Sequence, residues 1–309
     1  MIERVLVAGG GTGGHLFPGL AVVEELRRRS PDLEVLFIGT ERGIEARILP
    51  KMGERLECLE VSPLKGRGPA ELLQSLGKLP RALLRAGKLV RAFRPDLVIG
   101  VGGYASGPVL AAASAMGIPT AILEQNARVG LTNRMLAPLV GRAYLSFPES
   151  QSELRAARVR LLGNPVRRAF VRTARQASAD PEGFEARSRR VFVLGGSQGA
   201  KILNERIPEV LRLARLEGLT ILHQTGAAMR DAVEARYAEL GLEAEVVSFV
   251  DEMALAYAES ALVIARAGAT TLAEVCAIGR PSILIPYPHA ADDHQTKNAE
   301  ALEAAGAAI

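Results

Sequence analysis

VLVAGGGTGGHLFPGLAVVEEL, Val5–Leu26, is the stretch on which the fold turns. Val5, Leu6, Val7 and Ala8 run without a polar break into Gly9-Gly10-Gly11-Thr12-Gly13-Gly14, and a helical pattern follows. A short continuous apolar run is how a parallel strand buried on both faces reads. Glycines at its end allow a tight turn whose backbone N–H groups, with the start of the next helix, draw in an anion. VFVLGGSQGAKILNE, Val191–Glu205, repeats the arrangement in the second half. This weak internal repeat predicts an α/β protein of two Rossmann-like domains with parallel sheets facing across a cleft, and a site at the carboxyl ends of both sheets.

Other apolar runs fill in the two halves. Strands are expected at Arg4–Ala8, Glu34–Ile38, Leu97–Val101, Thr120–Leu123 and Arg142–Leu145, then at Arg190–Leu194, Leu219–His223, Ala244–Phe249, Leu262–Ala265 and Ser282–Ile285. Val171–Arg189, polar and without period, reads as a loop or a helix flanking a hinge. Leu97–Leu123 carries no charge and is long enough to span a bilayer, but its five glycines, Pro108 and Pro119 divide it into strand, loop, short helix and strand.

The 309 residues hold 38 basic and 34 acidic side chains, and a net charge of +4 does not argue for nucleic acid. Ser62–Arg94 nevertheless holds eight basic residues against Glu71 alone, a net +7 that leaves the rest of the chain at −3. Cys58 and Cys276 have no metal-type spacing and point to a reducing compartment. The N-terminus leads directly into a strand, with an apolar stretch too short for a signal peptide.

Each glycine loop has competing readings. The first fits G-x-G-x-x-G, but a dinucleotide site also needs an acid at the tip of the second strand, which ends Phe37-Ile38-Gly39-Thr40. The second fits the hydrolase pattern G-x-S-x-G around Ser197, and Asp251 with His289 or His294 would complete a triad order. In the anion-binding reading Ser197 and its helix start hold a diphosphate instead. Glu274, about a turn inside the helix after Arg266-Ala267-Gly268, is placed to bond a ribose diol or to offset the helix dipole. Asp292-Asp293-His294 does not make a metal site, because adjacent carboxylates at a helix start splay apart.

Taken in order, GGGTGGHLFPGLAV (9–22), EQNARVGLTN (124–133), GNPVR (163–167), GGSQGA (195–200), RAGATTLAE (266–274) and DDHQTKNA (292–299) resemble the MurG family of peptidoglycan glycosyltransferases over essentially the whole chain. The resemblance implies the GT-B fold and transfer, with inversion, of N-acetylglucosamine from UDP-N-acetylglucosamine to the 4-hydroxyl of lipid I. Residues 1–163 would form the acceptor- and membrane-facing domain. Residues 164–309 would bind the UDP-sugar, apparently without the final helix that returns to the first domain, since the chain stops at Ala308-Ile309. Another UDP-sugar transferase of the same fold, or a serine hydrolase using Ser197, are the alternatives.

The resemblance also implies residue roles. Ser197 would hold the donor diphosphate with Arg167 near it, the backbone of Val250 would read uracil, and Ala269, Thr270, Thr271, Leu272, Ala273 and Glu274 would wrap the nucleotide. Gln295 and Asn298 would bond sugar hydroxyls, while Thr12, Gly13, Gly14 and Asn126 would reach the donor from the first domain. Arg167 and the Ser197 helix start would stabilise departing UDP without a metal or other cofactor. His15 is the candidate base, its ordinary pKa near 6.5 suiting proton acceptance at neutral pH; the alternative is that it caps its helix or binds diphosphate.

The basic stretch acquires a partner from the same reading. Leu72, Leu76, Leu79, Leu83, Val90 and Phe93 recur at helical steps with basic residues between them, with breaks or kinks expected at Gly77, Pro80 and Gly87. Most of these leucines fit an ordinary core-facing helix. An exposed subset, with Arg81, Arg85 and Lys88, would dock on anionic lipid and hold the protein peripherally at the cytoplasmic face of the bacterial plasma membrane.

Overall fold

In a computed structural model the chain is described at residues 2–61, 69–156, 158–196, 199–215 and 218–309, with the backbone alone described for 69–76 and 291. It divides into two compact units, Met1–Arg167 and Arg168–Ile309. GNPVR thus belongs with the first unit, whereas the sequence reading opens the second domain inside it.

The first unit carries the strands β1 (Arg4–Ala8), β2 (Glu34–Gly39), β3 (Leu56–Cys58), β4 (Leu97–Gly100), β5 (Thr120–Glu124), β6 (Arg142–Leu145) and β7 (Val159–Leu161). Its helices are α1 (Gly13–Arg29), α2 (Glu45–Ile48), α3 (Pro69–Phe93), α4 (Ser106–Ala115) and α5 (Leu131–Leu136). All strand pairs are parallel, in the order β3-β2-β1-β4-β5-β6-β7. Side chains alternate across the pleat. Val5 and Val7 pack with Leu16, Leu20 and Val23 of α1, while Leu6 and Ala8 face Ala86 and Val90 of α3 and Val109 and Leu110 of α4. Both faces are covered, which explains the unbroken apolar runs.

The second unit has β8 (Arg190–Leu194), β9 (Thr220–Gln224), β10 (Glu245–Val247), β11 (Ser260–Ala265) and β12 (Ser282–Leu284), again all parallel, in the order β10-β9-β8-β11-β12. Its helices are α6 (Arg168–Ala179), α7 (Pro181–Arg187), α8 (Lys201–Ala214), α9 (Arg230–Glu239), α10 (Met253–Ala258), α11 (Ala269–Ile278) and α12 (His294–Ala304). Val191 and Val193 meet Leu203 and Ile207 of α8, and on the opposite face Phe192 meets Tyr257 of α10 with ring centroids 5.5 Å apart. Arg280 closes the far end of this unit. It stacks 3.7 Å over Phe184 and donates to the carbonyls of Tyr257 and Ala258 and to Glu185.

Several expectations change. The short edge strands β3 and β7 carry no apolar run and escape a reading based on one. Leu97–Leu123 folds as β4, α4 and β5, and no described helix is long and apolar enough to cross a membrane. Val171–Arg189 is largely helical, α7 being started by Pro181 and by the Asp180 carboxylate, which accepts from Gly183 N at 3.0 Å.

The breaks expected at Gly77, Pro80 and Gly87 are absent, and α3 runs continuously from Pro69 to Phe93. A proline inside a helix costs about 3 kcal/mol. Downstream of it, Ala82, Ala86, Val90 and Phe93 are all buried, and that burial offsets the missing bond. The side chains of Leu72 and Leu76 lie outside the described residues, as do Lys65 and Arg67.

Candidate functional site

Strand order fixes where each sheet can bind. β1 lies between β2 and β4, so the connections leaving β1 and β4 run to opposite sides and open a crevice at their carboxyl ends. β8, between β9 and β11, does the same in the second unit. The glycine loops follow β1 and β8, and Arg266-Ala267-Gly268 follows β11. The partner of the first loop is one that sequence reading missed, Gly102-Gly103-Tyr104 after β4. Its signal, two glycines at a strand tip, is hidden within the uncharged stretch.

The two loops of the first unit interlock. Gly10 N donates to the Gly102 carbonyl at 3.3 Å, and Gly103, at φ 81°, lies so close to Gly10 that a Cβ would collide with its backbone. Gly11 N does not face outward as a lone anion site. It donates to Glu45 at 2.7 Å. The amides at the start of α1 come next, at Gly13 and Gly14, with Thr12 exposed ahead of them as the N-cap residue. His15 sits half-buried in that first turn. Its Nδ1 is 3.1 Å from the Gly10 carbonyl and 3.3 Å from Thr12 Oγ1. A carbonyl only accepts, so in this contact Nδ1 carries the proton, and in the neutral ring Nε2 is the acceptor nitrogen.

EQNARVGLTN proves to be an architectural loop around Glu124. That carboxylate is 2% exposed and accepts from Asn126 N at 3.1 Å, Asn126 Nδ2 at 3.4 Å, Gly130 N at 3.0 Å and Asn133 Nδ2 at 2.9 Å. Burial pushes its pKa up, against the pull of these donors. Asn126, expected on the donor, is thus engaged with Glu124. Arg167 stands over the Phe17 ring of α1 at 4.8 Å, so this guanidinium is carried by the first unit.

In the second unit Ser197 lies outside the described residues, but the ends of its loop are described. Gln224, at the tip of β9, donates its amide to the Gly196 carbonyl at 3.0 Å, and its own carbonyl accepts from Gly195 N at 3.3 Å. Gly199, at φ 76°, presses on the Thr225 carbonyl with no space for a Cβ. Asn204 of α8 donates to that carbonyl at 3.0 Å, and its Oδ1 accepts from His223 Nε2 at 3.2 Å. His223 Nδ1 accepts from the Tyr237 hydroxyl at 2.9 Å. His223 is fully buried, and burial lowers its pKa to about 4. This His223-Gln224-Thr225 clamp was not anticipated, because its members are ordinary residues at a strand end.

The remaining predicted residues divide by burial. Val250 is half-buried beside the exposed Phe249. Along α11, Thr270, Thr271 and Ala273 are half-buried, whereas Ala269, Leu272 and Glu274 are buried. Helical periodicity turns the Leu272 side chain into the core and leaves only its backbone for a ligand. Gln295 Oε1 accepts from Tyr287 N at 2.9 Å, and the fully buried Asn298 donates to the Ala267 carbonyl at 3.1 Å. In this structure Asn298 shapes the loop after β11. Arg266 fixes the same loop from the other side, donating to the carbonyls of Ile285 and Pro286 at 3.0 and 2.8 Å.

Comparisons with known proteins agree with this layout. Residues 5–145 match the glycosyltransferase family 28 N-terminal domain, and residues 190–309 match the glycosyltransferase family 28 C-terminal domain. The chain is 50% identical over 308 residues to a protein of Anaeromyxobacter dehalogenans named UDP-N-acetylglucosamine--N-acetylmuramyl-(pentapeptide) pyrophosphoryl-undecaprenol N-acetylglucosamine transferase, covering 99% of this chain and 79% of that one. A Myxococcus xanthus protein of the same name is 49% identical over 308 residues, with the same coverage of each chain. Among solved structures, Acinetobacter baumannii MurG is similar at a TM-score of 0.75 and 33% identity, covering 99% of this chain and 85% of that one.

Proposed function

The chain belongs to glycosyltransferase family 28, and we propose that it transfers N-acetylglucosamine from UDP-N-acetylglucosamine to the 4-hydroxyl of the N-acetylmuramoyl-pentapeptide of lipid I, with inversion. The observation that carries the chemistry is the His15 contact: Nδ1 donates to the Gly10 carbonyl, which makes Nε2 the basic nitrogen of the neutral ring. In the transfer the acceptor hydroxyl gives its proton to Nε2 while its oxygen bonds to C1 of the sugar. The bond from C1 to the UDP oxygen breaks from the opposite face. The Ser197 loop and the start of α8 are assigned to the departing diphosphate. Val250 and the half-buried face of α11 hold the nucleoside. The first glycine loop and the start of α1 are assigned to the acceptor diphosphate. A direct test of the donor is release of UDP in the presence of a lipid I analogue. UDP-N-acetylglucosamine is expected to outpace UDP-glucose by at least about tenfold, the scale of discrimination from a few pocket contacts; equal rates would favour another sugar transferase of this fold.

The acceptor is lipid-linked, and α3 supplies the surface that would meet its membrane. Leu84 is 69% exposed, with Leu83, Arg81, Arg85 and Lys88 also exposed, while Ala82, Ala86 and Val90 face the core. An exposed leucine among cations suits an anionic bilayer surface. Each basic residue contributes about 1 kcal/mol at such a surface. Reversing Arg81, Arg85 and Lys88 to glutamate is therefore expected to weaken binding to phosphatidylglycerol vesicles by at least about a hundredfold. Unchanged sedimentation with those vesicles would remove α3 from the membrane contact.

A further inference from the structure

Glu45 is a buried carboxylate for which the transfer chemistry has no evident use. It is 1% exposed at the start of α2, an element anchored in the core by Ile44 and Leu49. Its Oε1 accepts from Thr40 N and Thr40 Oγ1, both at 2.9 Å, and its Oε2 accepts from Gly11 N at 2.7 Å. Gly10, Gly39 and Gly43 crowd against it, and a Cβ on any of them would collide with the carboxyl side chain. The fold has made a fitted socket for one carboxylate. Burying such a group is costly unless hydrogen bonds surround it, and an apolar side chain of similar volume would serve packing as well or better. What an apolar side chain cannot do is hold Gly11 N.

That N–H belongs to the peptide unit joining Gly10 to Gly11. The carbonyl of the same unit is the one that meets His15 Nδ1 at 3.1 Å. A trans peptide is rigid and planar, with its C=O and N–H pointing in opposite directions. Fixing one end therefore aims the other. Both flanking residues are glycines with positive φ, 143° and 91°, so the backbone on either side resists rotation of this plane very little. If the plane turned over, an N–H in place of the carbonyl would face the imidazole, and the ring would be held in the opposite tautomer. His15 is confined on its other side by the Gly102-Gly103 loop after β4, where a Cβ on Gly102 would come within 2.9 Å of Nε2.

We propose that Glu45 is a positioning residue which, through the single peptide plane of Gly10–Gly11, holds His15 in the tautomer with Nδ1 protonated and Nε2 ready to accept the acceptor's proton. The catalytic half of this rests on the reading of His15 as base; the orienting half does not. Glu45→Gln separates the two bonds. Its remaining oxygen keeps Thr40, while its amide nitrogen faces Gly11 N donor to donor, so the peptide plane loses its tie with side-chain volume nearly unchanged.

The test is the tautomer of His15, read in the full chain by nitrogen-15 NMR of labelled histidine. The wild type is expected to show Nδ1–H, and Glu45→Gln a mixture or the opposite form. Wild-type protein in the Nε2–H form overturns the proposal without any variant, and an unchanged tautomer in Glu45→Gln overturns it as well. Turnover supplies the second readout. Glu45→Gln is expected to lower kcat by about tenfold or more with little change in KM for the UDP-sugar, since lost orientation of a catalytic group appears in kcat. In a His15→Ala background the same change is expected to cost almost nothing, because the two residues act as one unit. Equal costs in both backgrounds overturn the positioning role. Full turnover in His15→Ala alone would instead defeat the base reading, and the NMR result would still decide the orientation.

Discussion

His15→Ala is expected to lower kcat by roughly a hundredfold to ten-thousandfold, the range that a well-placed general base contributes. UDP affinity should stay within about threefold of wild type, because His15 is assigned to the acceptor hydroxyl and not to UDP. The structure makes this a sharper expectation than a histidine in a glycine loop would justify alone. His15 is held at Nδ1 by a carbonyl, and that hydrogen bond sets which nitrogen can take a proton. His15→Gln keeps an amide that can donate to Gly10 but offers no basic nitrogen, so it should be as slow as alanine. If His15 served only to cap α1 or to bind diphosphate, glutamine would restore much of the rate. Single-turnover rates with a lipid I analogue, beside UDP binding by calorimetry, separate these outcomes.

Acidification should loosen the second unit before the first. His223 has its pKa lowered to about 4 by burial, against an ordinary value of 6.5. Below pH 6.5 the unfolded chain takes up a proton that the folded chain refuses, so stability falls as pH drops toward 4. The slope is about 1.4 kcal/mol per pH unit and the total is about 3 kcal/mol, a sizeable part of the stability of one domain. Glu124 in the first unit has the opposite sign. Burial raises its pKa, so the folded form binds its proton more readily, and lowering the pH through that range adds stability. Hydrogen exchange followed between pH 7 and 4.5 should show protection falling in β9 and α9 while β5 and α5 hold. His223→Gln should abolish the slope at a cost in neutral-pH stability. Parallel loss in both units, or a slope that survives the substitution, would show that His223 is not the cause.

The parts of this molecule that were legible in sequence are those written locally. An apolar run ending in glycine marked β1 and β8, and both loops lie at the switch points of their sheets. The residues that hold those loops were not legible. Glu45 is 34 positions from Gly11, and Gln224 is 28 from Gly196. No spacing rule links such pairs, and each donor or acceptor looks ordinary until the fold brings it to its partner. A contiguous motif is also not one surface. In Ala269–Glu274 the helix turns Leu272 into the core, and Asn298, one helical turn past Gln295, is fully buried while Gln295 reaches Tyr287 N. The unbroken α3 follows the same logic. Pro80 is a local signal to break, and the tertiary burial of Ala82, Ala86 and Val90 overrides it.

The most direct test is to incubate the protein with radiolabelled UDP-N-acetylglucosamine and a lipid I analogue bearing a short polyprenyl chain, then follow label into the lipid and determine the anomeric configuration of the new bond. Label should enter only when the lipid diphosphate is present, one UDP should be released per sugar transferred, and the new linkage should be β. Release of free N-acetylglucosamine without transfer, or an α-linked product, would contradict inverting transfer to lipid I.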